Sequence, residues 1–209
     1  MDHLVVSLVV EGRITEPLWS SGSVGASFED LQFTLGQGPG PDALRTSQVM
    51  VEHDVAELGA ARWPALVPAM AHLPIGAMVC LPLALGGITV GVLTALRASP
   101  GLMSGQEMDD CLGLAAALTL QFLGGAENRF ESWMDARPEG ELHRAVVHQA
   151  TGMLSVQLAV PLGEALLRLR AYAYVHDRSI VEAAEDIVSR RLRLDDDRPE
   201  PDSPKETKG

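Results

Sequence analysis

Two apolar runs of strand length meet at a glycine pair. Residues 77–83 (AMVCLPL) and 88–97 (ITVGVLTALR) flank Leu85-Gly86-Gly87. A Gly-Gly pair supplies the backbone freedom that a tight hairpin turn needs. The two runs therefore predict adjacent antiparallel strands. Strands this apolar need cover on both faces. The chain must build a sheet with helices packed on it, and an all-helical fold is excluded.

The neighbouring segments extend that sheet. Residues 5–10 (VVSLVV) read as a short strand covered on both faces, 11–13 as a turn and 14–21 as a second strand. Residues 23–31 are weakly helical. Residues 33–44 (FTLGQGPGPDAL) read as a Gly/Pro loop over one end of the sheet. No Lys followed by Ser or Thr closes that loop, so it is not a Walker phosphate cradle. Residues 48–51 predict a short strand and 62–72 (RWPALVPAMAH) a helix. Ser104 with Glu107 three residues on forms a capping box. It opens a long helix with Met108, Cys111, Leu112, Ala115, Leu118 and Phe122 at helical spacing.

Charge divides the chain. The net charge is -12 over 209 residues, which argues against a broad nucleic-acid surface. Residues 141–194 stand apart, with 7 Arg against 6 Asp/Glu. The tail, residues 195–209, holds 3 basic against 6 acidic groups. Its Pro- and charge-rich composition predicts disorder. Arg137-Pro138-Glu139-Gly140 marks the domain boundary. The expected organisation is residues 1–125 as a sheet domain, 126–140 as a helical linker, 141–194 as a helical domain and 195–209 as an acidic tail.

Residues 141–194 predict three helices. Leu142, Ala145, Val146, Gln149, Met153 and Val156 make one apolar stripe on the first. Gly152 interrupts that helix at a cost of about 1 kcal/mol against Ala. With Ala150 and Thr151 it forms a small spot where another backbone can approach, or where a neighbouring helix packs. Pro161 starts the second helix, whose inward residues are Leu162, Ala165, Leu166, Leu169 and Ala173. Ser179 and Glu182 box the third, with Ile180, Ala183, Ala184, Ile187 and Val188 inward. Arg190, Arg191 and Arg193 crowd its last turn, where cations complement the helix dipole; contact with RNA is the alternative reading.

Two family resemblances rest on these residues. LQFTLGQGPGPDAL (residues 31–44), RWPAL (62–66) and LPLALGGITVGVLTALR (81–97), in that order of elements, resemble a GAF domain. The usual helix before the first strand is missing from the pattern, and Gly40 stands where related loops carry Cys. The second resemblance is carried by Gln149-Ala150-x-Gly152-x-Leu154, Ala165, Leu169-Arg170-x-x-Ala173 and Ala184. Residues 141–192 are similar to an ANTAR domain, the helical RNA-binding module of bacterial transcription antitermination regulators. Many members carry Lys where Thr151 stands, and a capping Ser where Pro161 stands.

The resemblances imply an α+β fold. A GAF-like antiparallel sheet with flanking helices would be joined by a long helix to a three-helix ANTAR-like bundle. They imply a cytoplasmic homodimer that binds paired stem-loops in nascent mRNA and prevents terminator formation, under control of a signal sensed by the GAF-like domain. Ala150, Gly152 and Arg170 carry over as RNA-surface positions. Thr151 and Arg168 lie beside them, while His148, Tyr172 and Tyr174 offer planes for stacked bases. An unidentified small-molecule ligand of the GAF-like domain is a further expected partner.

A different reading fits the same acidity and Thr151: a non-RNA signalling protein acting through ligand or protein contacts. An enzyme is not expected. No Ser/His/Asp set and no phosphate loop is present, and Asp109-Asp110 falls on the long helix, so no receiver-type phosphorylation site is legible. No metal or cofactor is expected either. His53 and His72, the candidate axial ligands, read as ordinary histidines. Cys80 and Cys111 sit in apolar runs as buried reduced thiols. No apolar run reaches the roughly 20 residues that a membrane span takes, and no secretory signal is read at the N-terminus.

Overall fold

The computed structural model describes residues 1–10, 14–59, 61–124 and 141–194. It is α+β, and its chain contacts divide it into two compact units, Met1–Glu141 and Leu142–Gly209. The predicted turn at 11–13, the helical linker 126–140 and the acidic tail 195–209 lie outside the described residues.

The first unit is a five-stranded antiparallel sheet. Its strands are β1 His3–Val10, β2 Ile14–Ser20, β3 Met50–Glu52, β4 Ala77–Leu85 and β5 Ile88–Arg97, in the order β2-β1-β5-β4-β3. The predicted hairpin is β4–β5, and Gly86 takes a positive φ of 61° in its turn. β1 and β5 pair with Val5 opposite Thr94, and β4 and β5 with Cys80 opposite the same Thr94. Alternation then sends side chains to two covered faces. Val6, Val79, Leu81, Leu83, Leu93 and Ala95 meet Cys111 and Ala115 of α4, Gly105–Leu123. The α4 capping box forms as expected, with Ser104 and Glu107 bonded reciprocally.

The opposite face lies under α1 (Ser23–Leu35), α2 (Pro39–Thr46) and the short α3 (Leu66–Ala69). Phe28, Trp63, Leu66, Met70, Met78 and Leu96 form its core. Two expectations change here. The Gly/Pro stretch is not an open loop: α1 runs on to Leu35, and Pro39 starts α2 at a position where its missing N–H is no loss. The predicted helix 62–72 shrinks to α3. Trp63 is buried instead of leading a regular turn, and Pro68 withholds the N–H that a longer helix would use.

The second unit contains α5 (Glu141–Leu158), α6 (Leu162–Val175) and α7 (Ile180–Val188). Its core draws on Val147, Ala150 and Leu154 of α5 and on Ala165, Leu166, Leu169 and Ala173 of α6. From α7 come Ile180, Ala183, Ala184 and Ile187. The α6 and α7 faces are as expected. The α5 face is not: the stripe through Gln149, Met153 and Val156 points outward, and Val156 is 84% exposed. α5 is apolar on more than one side, so spacing alone offers two stripes and packing selects one.

Each helix ends on a non-glycine residue in the left-handed region: Ala159, Asp177 and Arg190. The N–H beyond each reaches back across the last turn, Val160 to the Ser155 carbonyl (3.1 Å), Arg178 to Ala173 (2.9 Å) and Arg191 to Asp186 (2.7 Å). This satisfies carbonyls that a helix end otherwise leaves bare. No single helix among the described residues is long and apolar enough to cross a membrane.

Candidate nucleic-acid interface

The eight sequence-predicted RNA residues do not share one face. Ala150 and Thr151 are buried, at 0% and 1% exposure. Both belong to the α5 core, and the Thr151 hydroxyl donates to the Val147 carbonyl at 2.7 Å, the usual way a buried helical Thr satisfies itself. They are removed from any contact surface. Gly152, next along, turns outward. A Cβ placed there meets nothing within 4 Å.

Gly152 opens onto a groove of about 660 Å³. Met153 and Val156 of α5 line one side. Ile187 and, beyond α7, Arg190, Leu192 and Arg193 line the other. The groove joins apolar walls to two guanidinium groups. Arg190 and Arg193 form no ion pair among the described residues, whereas Arg191 is engaged by Asp186 at 2.7 Å. The same carboxylate takes Arg178 at 2.7 Å. Asp186 thus clasps the loop before α7 to the loop after it. Its carboxyl is held below the usual carboxylate range, first by the Arg178 hydrogen bond and then by Arg191. The pairing in turn raises the Arg178 guanidinium. The third helix ends at Val188, so Arg190, Arg191 and Arg193 lie beyond the last turn in which the sequence placed them.

The remaining predicted residues divide. Arg168 forms an i,i+4 ion pair with Glu164 at 2.7 Å. Arg170 is largely shielded, and burial first and the Arg144 charge second push its guanidinium down to about 10. It stays charged at neutral pH. Arg144, 5% exposed on α5, is the residue that sequence reasoning passed over. An Arg at an inward helical position was the available signal. Tyr172 stacks on His176 with ring centroids 4.0 Å apart, so its plane is partly used within the unit. Tyr174 is 75% exposed and offers its whole ring. His148 is half-buried.

The sheet unit holds a second polar arrangement that the sequence did not reveal. Glu29 of α1 is buried against the sheet. Its carboxylate accepts from Ser7 Oγ (3.3 Å), Gln32 Nε2 (3.0 Å) and Thr94 Oγ1 (3.0 Å). Gln32 Oε1 accepts the Gly40 N–H at 2.8 Å. Gly38, with φ of 139°, passes so close to the Gln32 side chain that a Cβ there would collide with it. The Gly/Pro stretch is thereby fastened to the sheet through one glutamine. Gly40, at the position where related loops carry Cys, lies against this network. Burial pushes up both the Cys80 and Cys111 thiols, so neither is a ready nucleophile.

No cluster of metal-ligating side chains occurs among the described residues, and His53 and His72 are exposed. No family model matches the sequence. No curated protein matches it either. Several solved structures are similar. The GAF3 domain of a Synechocystis protein in its photoproduct state is 16% identical, with a TM-score of 0.46, over 62% of this chain and 87% of that one. A GAF domain/HD domain protein from Geobacter sulfurreducens is 17% identical, with a TM-score of 0.44, over 57% and 78%. The GAF-B domain of DevS from Mycobacterium smegmatis is 16% identical, with a TM-score of 0.42, over 61% and 84%. Each of these three is a GAF domain or a protein that contains one.

Proposed function

We propose that the protein is an RNA-binding regulator of transcription termination, with a GAF-like sensing unit and an ANTAR-like helical unit. The observation that carries the reading is the groove beside Gly152. A glycine mid-helix leaves room for a close backbone approach, and Arg190 and Arg193 flank it with planar donors suited to phosphate and base edges. The interface is accordingly centred on Gly152, Arg190 and Arg193, with Tyr174 as an exposed stacking plane, and not on Ala150 and Thr151. An RNA hairpin held here would be kept from pairing into a terminator.

The sheet unit supplies the signal in this reading. The Glu29 network ties β1, β5, α1 and the start of α2 together, so a small molecule or partner that disturbed it would reach several elements at once. The protein works as a homodimer. Leu112, Leu120 and Leu123 leave an apolar strip on the outer side of α4, which a second copy would cover.

A gel shift with a two-hairpin leader RNA tests the RNA assignment. Wild type should bind, and Arg190→Gln with Arg193→Gln should weaken binding at least tenfold with a shallower salt dependence. Absence of binding by wild type would sink it. The net charge of -12 favours the competing signalling reading. In that case a metabolite or protein co-purifies with the chain and no RNA does.

A further inference from the structure

Helix α6 is apolar on two sides. Ala165, Leu166, Leu169 and Ala173 fill the core of the second unit. On the outer side Leu167, Tyr174 and Val175 are 63%, 75% and 76% exposed, and Ala171 is exposed between them. A helix that serves only as a surface element carries polar residues on its outer side, whereas one that is apolar all round is covered. Leu167, Ala171 and Val175 make one row at four-residue spacing, the kind of ridge that packs into the groove of a neighbouring helix. The residues that surround Ala171 at three and four positions are Leu167, Arg168, Tyr174 and Val175.

That frame complements itself. A twofold axis through Ala171, with two α6 helices antiparallel, sets each residue opposite the one equally far beyond 171. Leu167 then meets the partner's Val175, aliphatic on aliphatic. Arg168 meets the partner's Tyr174, a guanidinium on an aromatic face. Arg168 brings its own counter-ion, Glu164 at 2.7 Å, so the pairing draws no net charge into the contact. Ala171 has no bulk to hold the axes apart, and they can approach to about 8 Å.

We propose that the outer face of α6 is a contact between two copies of this chain, antiparallel and centred on Ala171. Such a contact uses the same patch on both copies, so it closes at two. A single helix face of about two turns falls short of the roughly 1,200–2,000 Å² that a stable interface buries. The α6 pairing therefore adds to the homodimer of the preceding subsection, on which it rests, and does not hold two chains alone. It also covers Tyr174, so an RNA base that stacks there has to part the two helices. That consequence rests on the RNA reading.

Disulfide formation in the full chain carrying Ala171→Cys tests the contact. Cys80 and Cys111 are buried and leave the new thiol as the reactive one. Under the twofold axis the two 171 positions meet, while the two 163 positions lie about 24 Å apart along the helices. Ala171→Cys should therefore cross-link about tenfold more than Gly163→Cys, whose site is also exposed on α6. Equal cross-linking at both positions would mean random collision or parallel helices, and overturns the proposal. Adding Leu167→Glu to Ala171→Cys should abolish the cross-link, and adding Val175→Lys as well should restore it, because 167 and 175 face each other only between copies. Loss without restoration overturns it too. Light scattering separates this contact from the homodimer. A dimer that does not cross-link at 171 keeps the homodimer and loses the α6 contact, and a monomer that does not cross-link loses both. If 171 cross-links and no hairpin RNA binds, the α6 contact stands and the RNA reading fails.

Discussion

Gly152 is a glycine in a helix with nothing in the space a side chain would fill. Its cost of about 1 kcal/mol to the helix is not offset by packing inside the fold. Gly152→Ala should therefore raise stability by about 0.5–1 kcal/mol in urea denaturation. Unchanged or lowered stability would mean that the glycine has an internal packing role after all. Ala150 and Thr151 are different: each is fully enclosed, so changes there act on the core. Adjacent positions on one helix point about 100° apart, and a motif written as consecutive letters spans both surface and core. The sequence marked all three residues as special and could not separate them. Glu29 was not legible at all. Its partners Ser7, Gln32 and Thr94 come from three elements, and Thr94 is far from it along the chain.

At the level of elements, the three C-terminal helices are held at their ends. Asp186 ties Arg178 to Arg191, and its carboxyl is lowered by them. A carboxylate lowered in the folded state contributes stability that is complete above its unfolded value, about 3.9. That contribution disappears as pH falls through the lower folded value. The stability difference between wild type and Asp186→Asn should stay constant from neutral pH down to about 4 and shrink below it. A difference that held constant into stronger acid would show that the clasp does not depend on the charge. The α5 cap offers a complementary test. Ala159 occupies the left-handed region at φ 51° and is exposed. A left-handed alanine costs about 1–2 kcal/mol, so Ala159→Gly should raise the melting temperature despite the added freedom of the unfolded chain. A drop would mean that the Ala159 methyl is packed.

For the whole molecule, the strip of leucines on α4 is the feature that a single chain does not use. Its inner side, Cys111, Ala115 and Thr119, is buried on the sheet, while Leu112 and Leu120 face out at 44% and 62% exposure. If the protein is a dimer through this strip, Leu112→Glu with Leu120→Glu should halve the mass measured by light scattering and leave the far-ultraviolet dichroism unchanged. A mass that stays that of a dimer would move the interface elsewhere. A wild type that is already monomeric would remove the dimer from the proposed mechanism.

The sequence by itself determined the elements whose signals are local. The Gly-Gly hairpin, both Ser–Glu capping boxes, the inward faces of α6 and α7, and the unbroken apolar runs that demand cover on both faces of β4 and β5 all arise from residues within a few positions of one another. Only the tertiary structure decided what depends on distant partners. Packing against α6 and α7 chose which of two apolar stripes on α5 turns inward, because both had helical spacing. Trp63, with its ring N–H on Asp42 at 3.0 Å, held the 62–72 stretch to a single short helix. The return of the chain past α7 set Arg190 and Arg193 across from Gly152, and that made a groove from residues nearly forty positions apart.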